Sequence, residues 1–215
     1  MTSDQSLRTL EAIRGGRLVP ILRLRDHGHA VEVAETLVAA GVRTLELTLG
    51  EASAPKAIEA VVEAVGDRIP VGAGTVLDPD AARQVAALGA EFCVSPHFDP
   101  AVVEAALAAG LVPIPGTFTA SEITAARAAG APLVKLFPAG AVGPGYLKAL
   151  LGPFPDLAAI PTGGIGVEEV PRWLAAGAVA VGLGSDLVPA SGDLDGLAER
   201  ARHAVELAEG AGGAA

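Results

Sequence analysis

The stretch LVKLFPAG, residues 133–140, sets a lysine between two apolar pairs, Leu133-Val134 and Leu136-Phe137, with Pro138 closing the run. Its length and composition read as a buried strand. An ammonium is among the costliest groups to strip of water, so Lys135 at the centre of a strand demands a special setting. An edge strand would supply one, with the ammonium snorkelling to solvent. A closed barrel would supply another, because alternate residues of each strand then face a shared axis that can hold polar groups. The basic residues are twelve arginines but only three lysines, Lys56, Lys135 and Lys148, so lysine is retained at 135 in a chain that uses arginine almost everywhere else.

Outward from this stretch the chain alternates short apolar runs with Ala-, Leu- and Glu-rich helical segments. The cycle repeats eight times at intervals of roughly 19 to 26 residues, the length of a βα unit. The expected strands are 18–24, 44–49, 70–75, 92–96, 111–116, 133–138, 158–163 and 178–184. Several helical segments between them open on Asp or Thr and close on Gly. Eight such units with an extra helix over 1–16 predict a (β/α)₈ TIM barrel in a single domain spanning 1–215, with a disordered tail over 209–215. A doubly wound open sheet is the alternative, disfavoured because no Gly-x-Gly-x-x-Gly follows the first strand.

The net charge is −10 with an isoelectric point near 4.8, and no basic cluster offsets it, which excludes a nucleic-acid partner. No uninterrupted apolar stretch reaches membrane-spanning length, and no cleavable h-region opens the chain. A single cysteine, Cys93, precludes an internal disulfide; together these features predict a cytoplasmic protein. Asparagine is absent and glutamine occurs twice, a depletion of labile residues that fits a hot environment or a GC-rich genome equally.

Alternation within the strands selects the axial candidates. Glu46 shares a face with Thr44 and Thr48, leaving Leu45 and Leu47 for the helices. Lys135 shares a face with Leu133 and Phe137. Strand 1 contributes Arg23 with Val19 and Ile21, strand 3 Thr75 with Val71 and Ala73, and strand 7 Thr162 with Ile160. Catalytic groups of a barrel lie at the C-terminal ends of its strands, which is where these residues cluster. A buried lysine and a buried glutamate on separate strands are costly unless pairing or function offsets the cost. PTGGIG (161–166) and GLGSD (182–186) follow the last two strands, where exposed backbone N–H groups, Ser185 and a helix N-terminus suit a phosphate. His27, His29 and His97 are considered as metal ligands and set aside, because their positions suit a solvated helix entry and a pocket mouth. Cys93 reads as core packing.

In order along the chain, PILR, LELTL, GAGTVLDP, VSPHFD, PIPGTFT, VKLFPAGAVGPGYLKAL, GPFP, PTGGI and GLGSDLV resemble the 2-keto-3-deoxy-6-phosphogluconate and 4-hydroxy-2-oxoglutarate aldolases. The resemblance runs almost end to end. It implies a (β/α)₈ barrel, a homotrimer, no metal or cofactor, and a phosphorylated 2-keto sugar acid cleaved to pyruvate and glyceraldehyde 3-phosphate. Lys135 is implied as the Schiff-base lysine and Glu46 as general acid/base. Arg23, Thr75, Pro96 and Phe137 are implied around the substrate, with Thr162, Gly163, Gly164, Gly184 and Ser185 near its phosphate. One position departs: better-known members carry an arginine after the E-x-T-L strand, where this chain has Gly50. Arg23, ending PILR, can take the carboxylate-binding role instead. Another phosphate-binding barrel enzyme, such as a sugar-phosphate epimerase or synthase, and a non-catalytic metabolite-binding barrel are the alternative readings.

Overall fold

A computed structural model describes residues 4–24 and 28–211. Helix α1 (Asp4–Gly16) precedes β1 (Leu18–Leu22), and strands then alternate with helices. The strands are β2 (Leu45–Thr48), β3 (Val71–Gly74), β4 (Phe92–Val94), β5 (Val112–Ile114), β6 (Gly116–Thr117), β7 (Val134–Leu136), β8 (Ala159–Pro161) and β9 (Val181–Leu183). The helices between them are α2 (Ala30–Ala39), α3 (Ala54–Val65), α4 (Pro79–Ala87), α5 (Pro100–Ala108), α6 (Ala120–Ala128), α7 (Pro144–Leu151) and α8 (Val170–Ala175), and α9 (Leu197–Gly210) follows β9. Asp78 and Asp99 cap α4 and α5 by accepting from Ala81 N–H and Ala101 N–H, both at 2.8 Å. Thr119 and Glu122 form a capping box on α6, satisfying donors that a helix start leaves unpaired.

All strand pairs are parallel and form a curled sheet. One run has the order β5-β4-β3-β2-β1-β9 and the other β6-β7-β8. Pro115 splits the expected fifth strand into β5 and β6, because proline has no N–H to give the ladder. Its carbonyl still accepts from Lys135 N–H at 2.9 Å. A parallel bridge between Thr162 and Gly182 links β8 to β9. Every expected strand is longer than the observed one, so Arg23, Thr75, Phe137, Thr162 and Gly184 all stand just beyond C-terminal strand ends. At the other terminus α9 runs through Gly210, two residues into the expected tail, because Ala204 and Ala208 on its inner face are buried. The last four tail positions, 212–215, lie outside the described residues.

Two buried apolar clusters separate the faces of the sheet. Leu45, Leu47, Val134, Leu136, Val181 and Leu183 pack with the helices, whereas Val19, Phe92, Val94, Ile114, Leu133 and Ile160 pack on the inner face. Ile13 of α1 joins the inner cluster. The helix is held there by Thr9, whose hydroxyl donates to Glu91 Oε2 at 2.8 Å, and by an ion pair of Arg8 with Glu91 at 3.4 Å. The expected alternation holds for β1, β2, β7 and β8 but reverses in β3: Val71 and Ala73 pack with the helices. Gly72 and Gly74 therefore face inward, a choice no hydrophobic pattern reveals, because glycine offers nothing to bury.

The reason is space. A Cβ on Gly72 would stand 2.2 Å from the Phe92 ring, far inside van der Waals contact. Gly72→Ala should therefore destabilise the protein by about 1–3 kcal/mol, the usual cost of overpacking. Combining it with Phe92→Leu should return part of that loss, measured as a coupling in denaturant melts. Strictly additive losses would show that the two sites do not compete for one space.

Candidate active site

Because Val134 and Leu136 pack outward against helices, Lys135 between them must point to the inner face. It is 7% exposed. Its backbone is fixed by the adjoining 115–117 segment: besides the bond to Pro115, the Thr117 hydroxyl donates to the Lys135 carbonyl at 3.3 Å. Lys135 Nζ lies 4.9 Å from the centroid of the Phe137 ring, within cation–π range. Among the described residues no ion pair joins it to a carboxylate.

Glu46, on β2, is 2% exposed. Burial pushes its carboxyl above the ordinary value of 4.5, opposed by the positive charges of Lys135 and then Arg23. Gly74 makes its position available: a Cβ there would fall 1.7 Å from Glu46 Oε1, so a larger residue would evict the carboxylate. Glu46 and Lys135 share a small void on the inner face with Val19, Ile114, Ile160 and Thr162.

Lys135 and Thr162 also line the main cavity, about 470 Å³ in volume. Its wall brings together Arg23, Phe137, Gly163, Gly164, Gly184 and Ser185 from the expected set. Lys135 thus stands between the void that holds Glu46 and the space open to a ligand. Gly163, with φ +90°, is required where it stands, since a Cβ would meet the Phe137 ring at 2.8 Å. The turn after β7 is tied to this one by Ala139 and Gly140, whose N–H groups donate to the Thr162 and Gly163 carbonyls at 2.9 and 2.8 Å.

Besides Glu46, which lies in the void behind Lys135, two expected residues are not part of the cavity wall. Thr75 adopts φ +61°, the left-handed region, which takes it out of the strand's alternation. Pro96 stands at the end of β4, its carbonyl packed so closely on Gly116 that a Cβ there would come within 2.3 Å. Backbone donors next to the glycine turn after β8 are also taken. Gly166 N–H donates to Glu169 Oε2 at 2.9 Å and Val167 N–H to Asp186 Oδ2 at 2.7 Å, so the first donors after the glycine turn already face carboxylates. Asp186, next to Ser185 in GLGSD, lines the cavity and is the charged wall residue that sequence reasoning passed over.

Burial pushes the Cys93 thiol up to about 12, which keeps it an inert packing residue. Among the described residues no group of three His, Cys, Asp or Glu side chains is placed to hold a metal ion, and His27 lies outside them. Nor is any described helix long and apolar enough to cross a membrane.

The profile of the KDPG and KHG aldolases matches residues 10–199. The chain belongs to the KDPG and KHG aldolase family. It is 40% identical over 200 residues to the 2-dehydro-3-deoxy-phosphogluconate aldolase of Dickeya dadantii, covering 91% of this chain and 93% of that one. It is 39% identical over 213 residues to the KHG/KDPG aldolase of Escherichia coli, covering 97% of each. A solved KDPG aldolase from Legionella pneumophila, holding pyruvate as a covalent carbinolamine, superposes with a TM-score of 0.81 at 29% identity, covering 98% of this chain and 99% of that one.

In this KDPG/KHG-family chain the buried carboxyl makes a measurable demand on stability. Glu46 keeps its proton to higher pH when folded than when unfolded, so its contribution to stability is most favourable in acid and is lost as pH rises through the raised folded value. Glu46→Gln removes that titration. Melting temperature measured from about pH 5 to about pH 8 should show the variant gaining on the parent protein as pH rises. A difference independent of pH would mean that Glu46 ionises as freely in the fold as in the unfolded chain.

Proposed function

We propose that this chain is a class I aldolase that cleaves 2-keto-3-deoxy-6-phosphogluconate, or a related 2-keto-4-hydroxy acid, to pyruvate and an aldehyde, glyceraldehyde 3-phosphate for the phosphorylated substrate. The observation that carries the reading is Lys135: a buried amine that, among the described residues, has no carboxylate in ion-pair contact, facing a cavity of about 470 Å³. A structural lysine would be paired or would reach water.

Chemistry follows from the placement. The neutral amine of Lys135 attacks the C2 carbonyl, and the carbinolamine loses water to give a protonated imine. Glu46 supplies the proton for that departing water, through a bridging water in the shared void, and in the ionised form takes the proton of the C4 hydroxyl. The C3–C4 bond then breaks, its electron pair passes to the imine to form an enamine, and the aldehyde leaves. Protonation at C3 and hydrolysis of the imine return Lys135 and release pyruvate. A carboxyl raised by burial exchanges protons nearer neutral pH than an ordinary glutamate, which suits both directions of transfer.

Arg23, a second cation on the wall, is the proposed partner of the substrate carboxylate, in place of the arginine that Gly50 replaces. Thr162 and the backbone of Gly163, Gly164, Gly184 and Ser185 are proposed at the phosphate end. Thr75 and Pro96 are proposed only as rim residues, standing at the ends of β3 and β4. We further read β5 and β6 as one strand of a closed eight-stranded barrel in a single domain, supported by the Thr162–Gly182 bridge, and the protein as a cytoplasmic homotrimer.

Incubation with pyruvate and borohydride should leave the mass of a reduced pyruvate adduct on the peptide containing Lys135. Lys135→Ala should keep its melting transition and lose both the adduct and turnover. An adduct on Lys56 or Lys148, or none at all, would instead favour an epimerase- or synthase-type barrel in which Lys135 is only an electrostatic anchor.

A further inference from the structure

The wall of the cavity carries a negative charge that the cleavage mechanism does not use. Asp186 lies on the wall immediately after Ser185, and its carboxylate is held in place by the Val167 N–H at 2.7 Å. Glu169 makes the matching contact with the Gly166 N–H at 2.9 Å. A Cβ built on Gly166 would stand 3.3 Å from Asp186 Oδ2 and 3.8 Å from Glu169 Oε2, so both carboxylates converge on the glycine that ends the Gly163–Gly166 turn. That is the turn proposed for the phosphate. The wall's cations, Arg23 and Lys135, are engaged by the carboxylate and keto end of the substrate in the proposed mechanism.

We infer that Asp186 is a specificity-determining residue, whose fixed carboxylate lowers the preference of this cavity for a 2-keto acid ending in a phosphate dianion relative to one ending in a neutral hydroxyl. The inference rests on the aldolase reading above. Two effects act together. Val167 N–H, a donor beside the turn, is spent on an internal acid and is not offered to the ligand. The acid's own charge then repels a dianion a few ångströms away, more strongly than it affects a hydroxyl. Because Asp186 is exposed, the repulsion is moderated by solvent and sensitive to salt.

Asp186→Asn keeps a side-chain oxygen to accept from Val167 N–H while removing the charge. Steady-state cleavage of 2-keto-3-deoxy-6-phosphogluconate and of unphosphorylated 2-keto-3-deoxygluconate should show the ratio of their kcat/KM values rising about fivefold in the variant, through KM of the phosphorylated substrate. Inorganic phosphate should inhibit the variant at correspondingly lower concentration, and both gains should shrink as salt is raised. Asp186→Ser, a smaller neutral acceptor, should shift the ratio in the same direction. An unchanged ratio in both variants, or a parallel change for both substrates, would overturn the inference and leave Asp186 as a cap of the turn. Pyruvate trapping on Lys135 is run beside it: trapping with an unchanged ratio defeats the specificity role alone, whereas failure to trap in the parent protein defeats the aldolase reading itself.

Discussion

An amine buried in a strand and, among the described residues, out of ion-pair contact is the constraint on which the rest of this structure depends. Lys135 can stay in the middle of a buried strand only if its neighbours face away from it and its own face opens on a cavity. Val134 and Leu136 meet the first condition by packing with the helices. The second requires an inner face that is apolar below the lysine and glycine-rich above it. The inner cluster of Val19, Ile114, Leu133 and Ile160 supplies the apolar part. The glycines after β8 and β9 supply the opening, with Phe137 laid against Gly163 beside it. Glu46 shares the void without pairing to the amine, which leaves both groups available to a substrate.

Such an arrangement is possible because large and small residues alternate across the inner face. Phe92 occupies the space that a side chain on Gly72 would need, Glu46 the space at Gly74, and Thr162 the space at Gly182, where a Cβ would fall 2.3 Å from the Thr162 hydroxyl. Each functional or bulky group is matched by a glycine on the neighbouring strand. Close packing is then achieved without displacing the polar groups, and Gly182 also brings backbone to the cavity wall.

The parts legible in the sequence were those with a repeating or costly signal. Period-two alternation placed Glu46 and Lys135 on the inner face, because a charged residue flanked by leucines or valines has one direction left to point. The alternating cycle gave the parallel α/β order. Strand 3 is not legible because its inward residues are Gly72 and Gly74, which carry no hydrophobic signal, and Val71 and Ala73 look equally suited to either face. Thr75 was placed by extending that strand, whereas its positive φ ends the alternation. The expected tail begins two residues before α9 ends, because Gly210 reads as a helix breaker while the buried Ala204 and Ala208 just before it hold the helix. Asp186 is illegible for a different reason: an acid next to a turn suited to phosphate runs against the expected chemistry, and its bond to Val167 and its place on the cavity wall are visible only in the fold.

With three lysines in the chain, the central claim can be reduced to one nitrogen. The Lys56→Arg, Lys148→Arg double variant leaves Lys135 as its sole lysine and can be prepared with ¹⁵N on the lysine side chain. Adding [2-¹³C]pyruvate and recording the carbon spectrum should reveal an imine or carbinolamine resonance split by one-bond coupling to that nitrogen. A spectrum holding only free pyruvate, in a variant that still melts cooperatively, would contradict the assignment of Lys135 as the nucleophile.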